Sequence, residues 1–244
     1  MNAVVLRLQQ SFFLEKGAGC KMLFCSYNNV RGNMIIDISD RIRAKLEKKD
    51  AAREQSLATS REVVRNCRKA MSNIHKGKFD RAASLLEESS HSLKRLKSLL
   101  QEHPDVYNSG FVEHAQQEFV ECSIVLKLLK EGSRTERIPG PEELEVEYTA
   151  YLSGLGDVNG ELRRHILDLI RKEQASEAEE FLDIMEDIYS ALMMFDFPDA
   201  MTRGLRHKTD TTRAILERTR GDVSTAIRQL KLENAMREFE RKID

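Results

Sequence analysis

Two pairs of acidic residues have spacings that place both members of each pair on one face of a helix. Glu118 and Glu121 are three residues apart, and Asp157 and Glu161 are four apart, which makes each pair neighbours on a helix surface. Four carboxylates from two packed helices offer the oxygen ligands that Mg²⁺ prefers. A metal held in this way can activate water and stabilise the charge of phosphodiester cleavage, while a remaining carboxylate acts as general base.

The spacing alone is compatible with several classes of protein. The chain has 40 acidic residues, and two glutamates three apart on a solvated helix are common. Helical nucleotide pyrophosphohydrolases also use paired acids on bundled helices, although that group usually has a second three-residue spacing where Asp157 and Glu161 are four apart. A di-iron bundle is disfavoured, because the Glu-x-x-His pairs of that class are missing from the sequence.

Helical periodicity runs from Met34 to the end of the chain. Gly and Pro together number 16 of 244 residues, too few for the frequent turns of a β-sandwich. We therefore predict an all-α bundle of about seven helices. Glycines, prolines and a capping Ser176 divide them at about 35–75, 80–102, 105–131, 142–172, 176–194, 198–220 and, after Gly221-Asp222, a last helix that ends near residue 242.

The two helices that carry the acids also have apolar stripes. In the third helix six apolar residues recur in steps of three and four: Phe111, Ala115, Phe119, Cys122, Leu126 and Leu129. In the fourth helix the stripe is formed by Leu155, Leu162, Ile166 and Leu169. Gly154, Gly156 and Gly160 lie inside this helix, where each costs up to ~1 kcal/mol relative to alanine. We expect them to allow the close approach of another helix or a ligand.

Composition limits the setting and the partners. The net charge is −1, so a nucleic-acid ligand must meet a local basic surface. No apolar run approaches the ~18 residues of a membrane span. The cysteines form no CxxC pair and no zinc spacing, and Cys67 and Cys122 fall in helical patterns. We predict buried free thiols, no structural zinc and a reducing, cytoplasmic setting.

The first 33 residues differ from the rest. They carry five charged residues, whereas the remaining 211 carry 74. Their apolar stretches are short and interrupted, too weak for a signal peptide. We predict that residues 1–33 are an N-terminal extension, loosely attached or disordered, and that residues 34–244 form one helical domain.

Three segments of the sequence resemble the translin family. They are Gln117-Glu118-Phe119-Val120-Glu121, the stretch from Tyr151-Leu152-Ser153-Gly154 through Asp157 to Gly160-Glu161-Leu162, and Gly204-Leu205-Arg206 with Lys208 and Asp210. The likeness is to the catalytic, RNA-cleaving branch, translin-associated factor X, because translin itself lacks the acids of the first segment. The second segment, around Tyr151, resembles translin more closely, so the chain combines features of both branches.

The resemblance implies a seven-helix translin fold, a hollow octamer of identical subunits, and binding of single-stranded RNA or DNA inside it. It also implies cleavage of single-stranded RNA with Mg²⁺ or Mn²⁺. Carried over residue by residue, the catalytic acids are Glu118, Glu121, Asp157 and Glu161. Of these, Glu121 and Glu161 are the expected metal ligands, and Glu118 and Asp157 complete the site and position water. A non-catalytic binding protein for single-stranded nucleic acid is the alternative.

Basic residues near these segments are candidates for contacts with phosphate. We predict His114, Arg164, Arg206, Lys208 and Arg213 as RNA-binding residues. Aromatic residues make up only 6% of the chain and Trp is absent, so we expect an electrostatic groove more than a stacking platform.

Overall fold

The computed structural model describes residues 21–132, 135 and 137–243, with side chains from Met34 onward. Residues 1–20 of the predicted extension lie outside the described residues. The described residues contain nine helices: α1 Lys21–Ile74, α2 Phe79–Leu99, α3 Pro104–Tyr107, α4 Gly110–Glu131, α5 Pro141–Leu144, α6 Tyr148–Arg171, α7 Ala175–Leu192, α8 Asp199–Thr202 and α9 Leu205–Ile243. No strand occurs in these residues, which confirms the predicted all-α class. In the same part of the chain, none of the helices combines the length and the apolar character of a membrane span.

Helix α1 is already formed at Lys21, the first described residue, well before the start near residue 35 that its periodicity predicted. The predicted boundary between residues 33 and 34 therefore lies inside a helix, and the change in composition there brings no break in secondary structure. The other end agrees with the prediction. Gly77 adopts a positive φ of 69°, and the amides of Gly77 and Lys78 donate back to the carbonyls of Ile74 and Asn73 at 2.9 Å, the pattern by which glycine ends a helix.

The chain divides between Ala51 and Ala52 into two compact units. In the described side chains of the first unit, Ile35, Ile38, Ile42 and Leu46 are exposed. The second unit contains the end of α1 and all the helices after it, and it holds both acidic pairs.

Helix α6 lies at the centre of the second unit, where it packs against α4, α7 and α9. Its predicted stripe of Leu155, Leu162, Ile166 and Leu169 is buried as expected. Burial of each such side chain contributes about 1.5–3 kcal/mol. The acids of α6 are therefore held on a rigid, central element.

Three predicted helices are interrupted. The sixth is divided at Arg203 and Gly204, between α8 and α9. The third is divided at Asn108 and Ser109, whose side chains donate to the carbonyls of Pro104 at 2.7 Å and Val106 at 2.5 Å and so compete with the helical bonds. The fourth is divided after Leu144 by Glu145, which has a left-handed φ of 54°. The breaks in the third and fourth helices lie upstream of the acids, so each acidic pair stays on an uninterrupted helix.

Two other sequence-based boundaries were wrong. Ser176 does not cap α7, since Gln174 is the residue at that position and the helix begins at Ala175. Gly221 does not end a helix, because α9 continues through it to Ile243. Buried Leu216, Thr219 and Val223 on either side hold this segment helical and offset the ~1 kcal/mol propensity cost of one glycine.

Candidate active site

The close approach of α4 and α6 is what brings the two acidic pairs together. A Cβ atom built on Gly154 would lie 2.7 Å from the backbone oxygen of Gln117 and 2.8 Å from Cβ of Val120. Only glycine fits at this crossing. Gly156 is in a similar position, because its Cβ would lie 2.6 Å from Cγ of Lys208 on α9. The expectation of close approach holds for these two glycines but not for Gly160, which faces open space.

Three of the four predicted acids line one cavity of about 400 Å³. Glu118 and Glu121 reach it from α4, and Glu161 reaches it from α6. Arg68 and Ser72 of α1 border the same cavity. The structure therefore places acids from two helices around one small solvent-accessible space.

The raised pKa of Glu121 reflects how closely the acids are grouped. Burial raises the pKa of Glu121 to about 8. The negative charges of Asp157, Glu118 and Glu161 contribute to the same upward shift, in that order. The other three acids thus all lie within electrostatic reach of Glu121.

Asp157 stands next to the cavity and is held by two donors. Nε2 of Gln117 donates to one carboxylate oxygen at 2.5 Å, and Nζ of Lys208 contacts the other at 2.6 Å. Lys208 reaches this position across Gly156. Its contact links α9 to the acids of α4 and α6.

Glu161 has the opposite electrostatic state from Glu121. Nε2 of His75, just after the end of α1, makes a close hydrogen bond with its carboxylate, and Nη1 of Arg164 lies 3.9 Å away. The hydrogen bond with His75 lowers the pKa of Glu161. The site therefore combines a carboxylate held ionised with one that burial and like charge drive toward its neutral form.

The donor chemistry of the cavity suits a hard cation, because carboxylate oxygens are the ligands of Mg²⁺. The grouping of carboxylates from α4 and α6 around one cavity is the structural observation that favours a cation. The side chains are not fully arranged for one, however: in the described ranges no group of three or more His, Cys, Asp or Glu is placed to hold a metal ion. The assignment of Glu121 and Glu161 as metal ligands stays a prediction.

The predicted RNA-binding residues fall into two groups. His114 lies 3.6 Å from Glu118, Arg164 lines the cavity, and Lys208 contacts Asp157, so these three surround the acids. Arg206 and Arg213 are exposed on α9 and do not line the cavity that the acids share. Arg213 is also paired with Glu217 at 2.9 Å.

Sequence reasoning missed several residues at the site. His75 and Gln117 could not be found, because their contacts with Glu161 and Asp157 join residues 86 and 40 positions apart. A set of basic residues on α1 did leave a signal, since four cations recur on one helix face: Arg61, Arg65, Arg68 and Lys69.

The buried thiols beside the site agree with the sequence prediction. Cys67 and Cys122 are free and buried, and Sγ of Cys122 donates to the carbonyl of Cys67 at 3.2 Å. Hydrogen bonding with the Cys67 side chain, followed by burial, raises the pKa of the Cys122 thiol. The pair joins α1 to α4 and lines the same cavity as the acids.

Known proteins share this arrangement of helices. No protein-family model matches the chain. The uncharacterized protein MJ0175 of Methanocaldococcus jannaschii is 39% identical over 189 residues, which cover 77% of this chain and 82% of that protein.

Solved structures define the class. The AfC3PO–duplex RNA complex is 33% identical, with a TM-score of 0.67, over 77% of this chain and 95% of that one. AfC3PO alone is 34% identical with the same TM-score and coverage. Apo-NeC3PO, at 23% identity and a TM-score of 0.68, has the same fold. The fold is thus of the translin type, as predicted. The chain belongs to the translin-like family of the C3PO proteins.

Proposed function

We propose that this protein is a metal-dependent endoribonuclease of the translin-like family, and that its catalytic acids are Glu118, Glu121, Asp157 and Glu161. The observation that carries the proposal is the convergence of these acids from α4 and α6. Burial, together with the negative charges of the other three acids, raises the pKa of Glu121. A purely structural acidic face has no reason to be partly buried around a cavity, since buried like charges cost stability.

In this proposal Glu121 and Glu161 hold a Mg²⁺ or Mn²⁺ ion. When bound, the ion supplies Lewis-acid stabilisation of the phosphodiester and a more acidic water. Glu118, which lines the same cavity, is placed to accept a proton from the attacking water. Lys208 and Gln117 fix the orientation of Asp157, and His75 keeps Glu161 ionised.

RNA is the proposed substrate for two reasons. The cavity is bordered by cations as well as acids, as a phosphodiester requires, and AfC3PO, at 33% identity, has been solved with duplex RNA. We propose cleavage of single-stranded RNA, following the family resemblance. The assay includes a duplex of the same sequence, because that relative binds one.

The deciding experiment is cleavage of an unstructured RNA with Mg²⁺ or Mn²⁺. We expect the wild-type protein to cut it, and Glu121→Ala to lose at least about 10²-fold in rate, the usual scale for loss of a group that acts in the chemical step. Gln101→Ala, an exposed residue outside the cavity, is the control. Equal rates for wild type and Glu121→Ala rule out this site.

The second candidate is a non-catalytic RNA- or DNA-binding protein. It is favoured by the contacts of His75 and Lys208, which occupy Glu161 and Asp157 and leave fewer oxygens for a metal. It predicts RNA binding that depends on salt without metal-dependent cleavage. Hydrolysis of free nucleoside triphosphates in place of RNA supports the pyrophosphohydrolase alternative.

We also propose that the chain assembles with itself into a hollow oligomer, with an octamer as the expected form. Near the end of α9 four large apolar residues are exposed on one face: Leu232, Met236, Phe239 and Ile243. An exposed stripe of this kind is typical of a surface that another protein covers. Light scattering on the purified protein measures the size of the assembly.

A further inference from the structure

A basic groove adjoins the acids. It has a volume of about 790 Å³, about twice that of the carboxylate cavity, and is formed by one face of α1 and the start of α4. We call it the α1 groove. Its lining residues are Leu57, Ser60, Arg61, Val64, Arg65, Arg68, Lys69 and Ser72 from α1, and Phe111 and His114 from α4.

The charged residues of the α1 groove are all basic. Arg61, Arg65, Arg68 and Lys69 are exposed, and no acidic side chain lines the groove with them. None of the four makes an ion pair within the described part of the chain. Four cations on one face repel one another, and a polyanion is the ligand that relieves this repulsion.

A buried hydroxyl points to a ligand independently of charge. Ser60 lines the α1 groove and is 3% exposed, and its Oγ has no hydrogen-bond partner. A buried hydroxyl without a partner costs free energy. Phosphate, ribose and base edges can all bond to a hydroxyl. Phe111, half-buried in the same wall, offers a ring on which a base can stack.

The α1 groove continues into the carboxylate cavity. Arg68 and Ser72 line both spaces, and His114 joins the α1 groove to Glu118. The acids themselves repel phosphate, so a substrate strand needs cations next to them to bind. From this geometry we infer that the α1 groove binds the RNA segment flanking the scissile phosphate, through its phosphates and one stacked base. This inference rests on the proposed function.

The test measures RNA binding without divalent metal, by fluorescence anisotropy of a labelled unstructured RNA. The variant is Arg61→Ala/Arg65→Ala. Its control is Arg237→Ala/Arg241→Ala, which removes two exposed arginines at the same four-residue spacing from α9. We expect the first pair to weaken binding about tenfold or more and the control to change it little. The slope of log affinity against log salt should decrease in magnitude by about 0.7 for each phosphate that is no longer neutralised.

Ser60→Ala separates a ligand role from a structural one. Removal of a buried hydroxyl without a partner leaves the free protein as stable as before or more so. If the hydroxyl contacts RNA, the variant binds RNA more weakly than wild type. Equal effects of the two arginine pairs, or no effect of either, overturn the inference. If Glu121→Ala abolishes cleavage while Arg61→Ala/Arg65→Ala binds RNA normally, the inference about the α1 groove is wrong and the nuclease proposal stands. If wild type neither binds nor cleaves RNA, both fail.

Discussion

Glu121 and Glu161 line the same cavity, yet their surroundings move their pKa values in opposite directions. Burial raises the pKa of Glu121 to about 8, whereas the hydrogen bond with His75 lowers that of Glu161. Divergent pKa values among neighbouring acids are typical of catalytic sites. At the level of single residues, the neighbours of the two acids thus favour the neutral form of Glu121 and the ionised form of Glu161.

The raised pKa of Glu121 has a consequence for stability. A carboxyl whose pKa is higher in the folded state binds its proton more tightly there, so its contribution is fully present below about pH 4.5 and is lost as the pH rises toward about 8. In metal-free buffer at pH 8, Glu121→Gln is expected to be more stable than wild type by about 1 kcal/mol or more, some 2–4 °C in Tm. At pH 4.5 the gain should disappear.

Thermal unfolding of the two proteins at both pH values makes this measurement. Glu142→Gln, an exposed acid at the start of α5, is the matched control and should show no such gain. A Glu121→Gln variant that is less stable than wild type at pH 8 contradicts the raised pKa of Glu121 in the folded protein.

At the level of elements, the position of the acids depends on one helix crossing. Gly154→Ala forces a Cβ against backbone and Val120, so we expect a loss of about 1–3 kcal/mol and a marked fall in cleavage rate. Gly160→Ala, in the same helix with open space around it, should instead gain up to about 1 kcal/mol from helix propensity.

Urea denaturation of both variants tests this pair directly. Since Gly160 lies next to Glu161, its variant also reports whether a methyl group beside the cavity affects RNA cleavage. Similar stability losses in the two variants would show that the crossing at Gly154 is no tighter than the rest of α6.

Local periodicity was enough to predict which helices carry the acids. The stripe of Leu155, Leu162, Ile166 and Leu169 fixed the inner face of α6, and with it the side from which Asp157 and Glu161 project. The division between α3 and α4 was not predicted, because it depends on side chains of Asn108 and Ser109 that bond to nearby carbonyls. Such bonds compete with the helix over one turn and leave the apolar period unchanged.

Pairings between residues distant in sequence were the other part that could not be predicted. Lys208 was chosen as a phosphate ligand from its position in a basic stretch, but the fold carries it across Gly156 to Asp157. His75 reaches Glu161 in the same way. A single sequence contains the residues of such a pair but not their pairing, which is set by how α1, α6 and α9 pack.

At the level of the whole molecule, the exposed stripe on α9 predicts the assembly. Leu232→Glu/Phe239→Glu places two charges in the stripe, and burial of unpaired charge opposes association. We expect a smaller species by light scattering, with the helix content unchanged by circular dichroism. Ser224→Glu/Asn234→Glu adds the same charges at exposed positions of α9 outside the stripe. It should leave the size unchanged, and a loss of assembly in both variants would remove the stripe from the proposed interface.

The shared lining of the α1 groove and the cavity has a last consequence, which concerns the products. From Leu57 to Ser72 the helix rises by about 22 Å, the length of about six stacked nucleotides at roughly 3.4 Å each. If one end of an RNA lies beside Leu57, the phosphate that reaches the acids is a fixed number of nucleotides from that end. If the proposed nuclease binds RNA in this way, we expect digestion of long RNA to leave end fragments of one narrow size, visible as a sharp band where a random nuclease leaves a ladder.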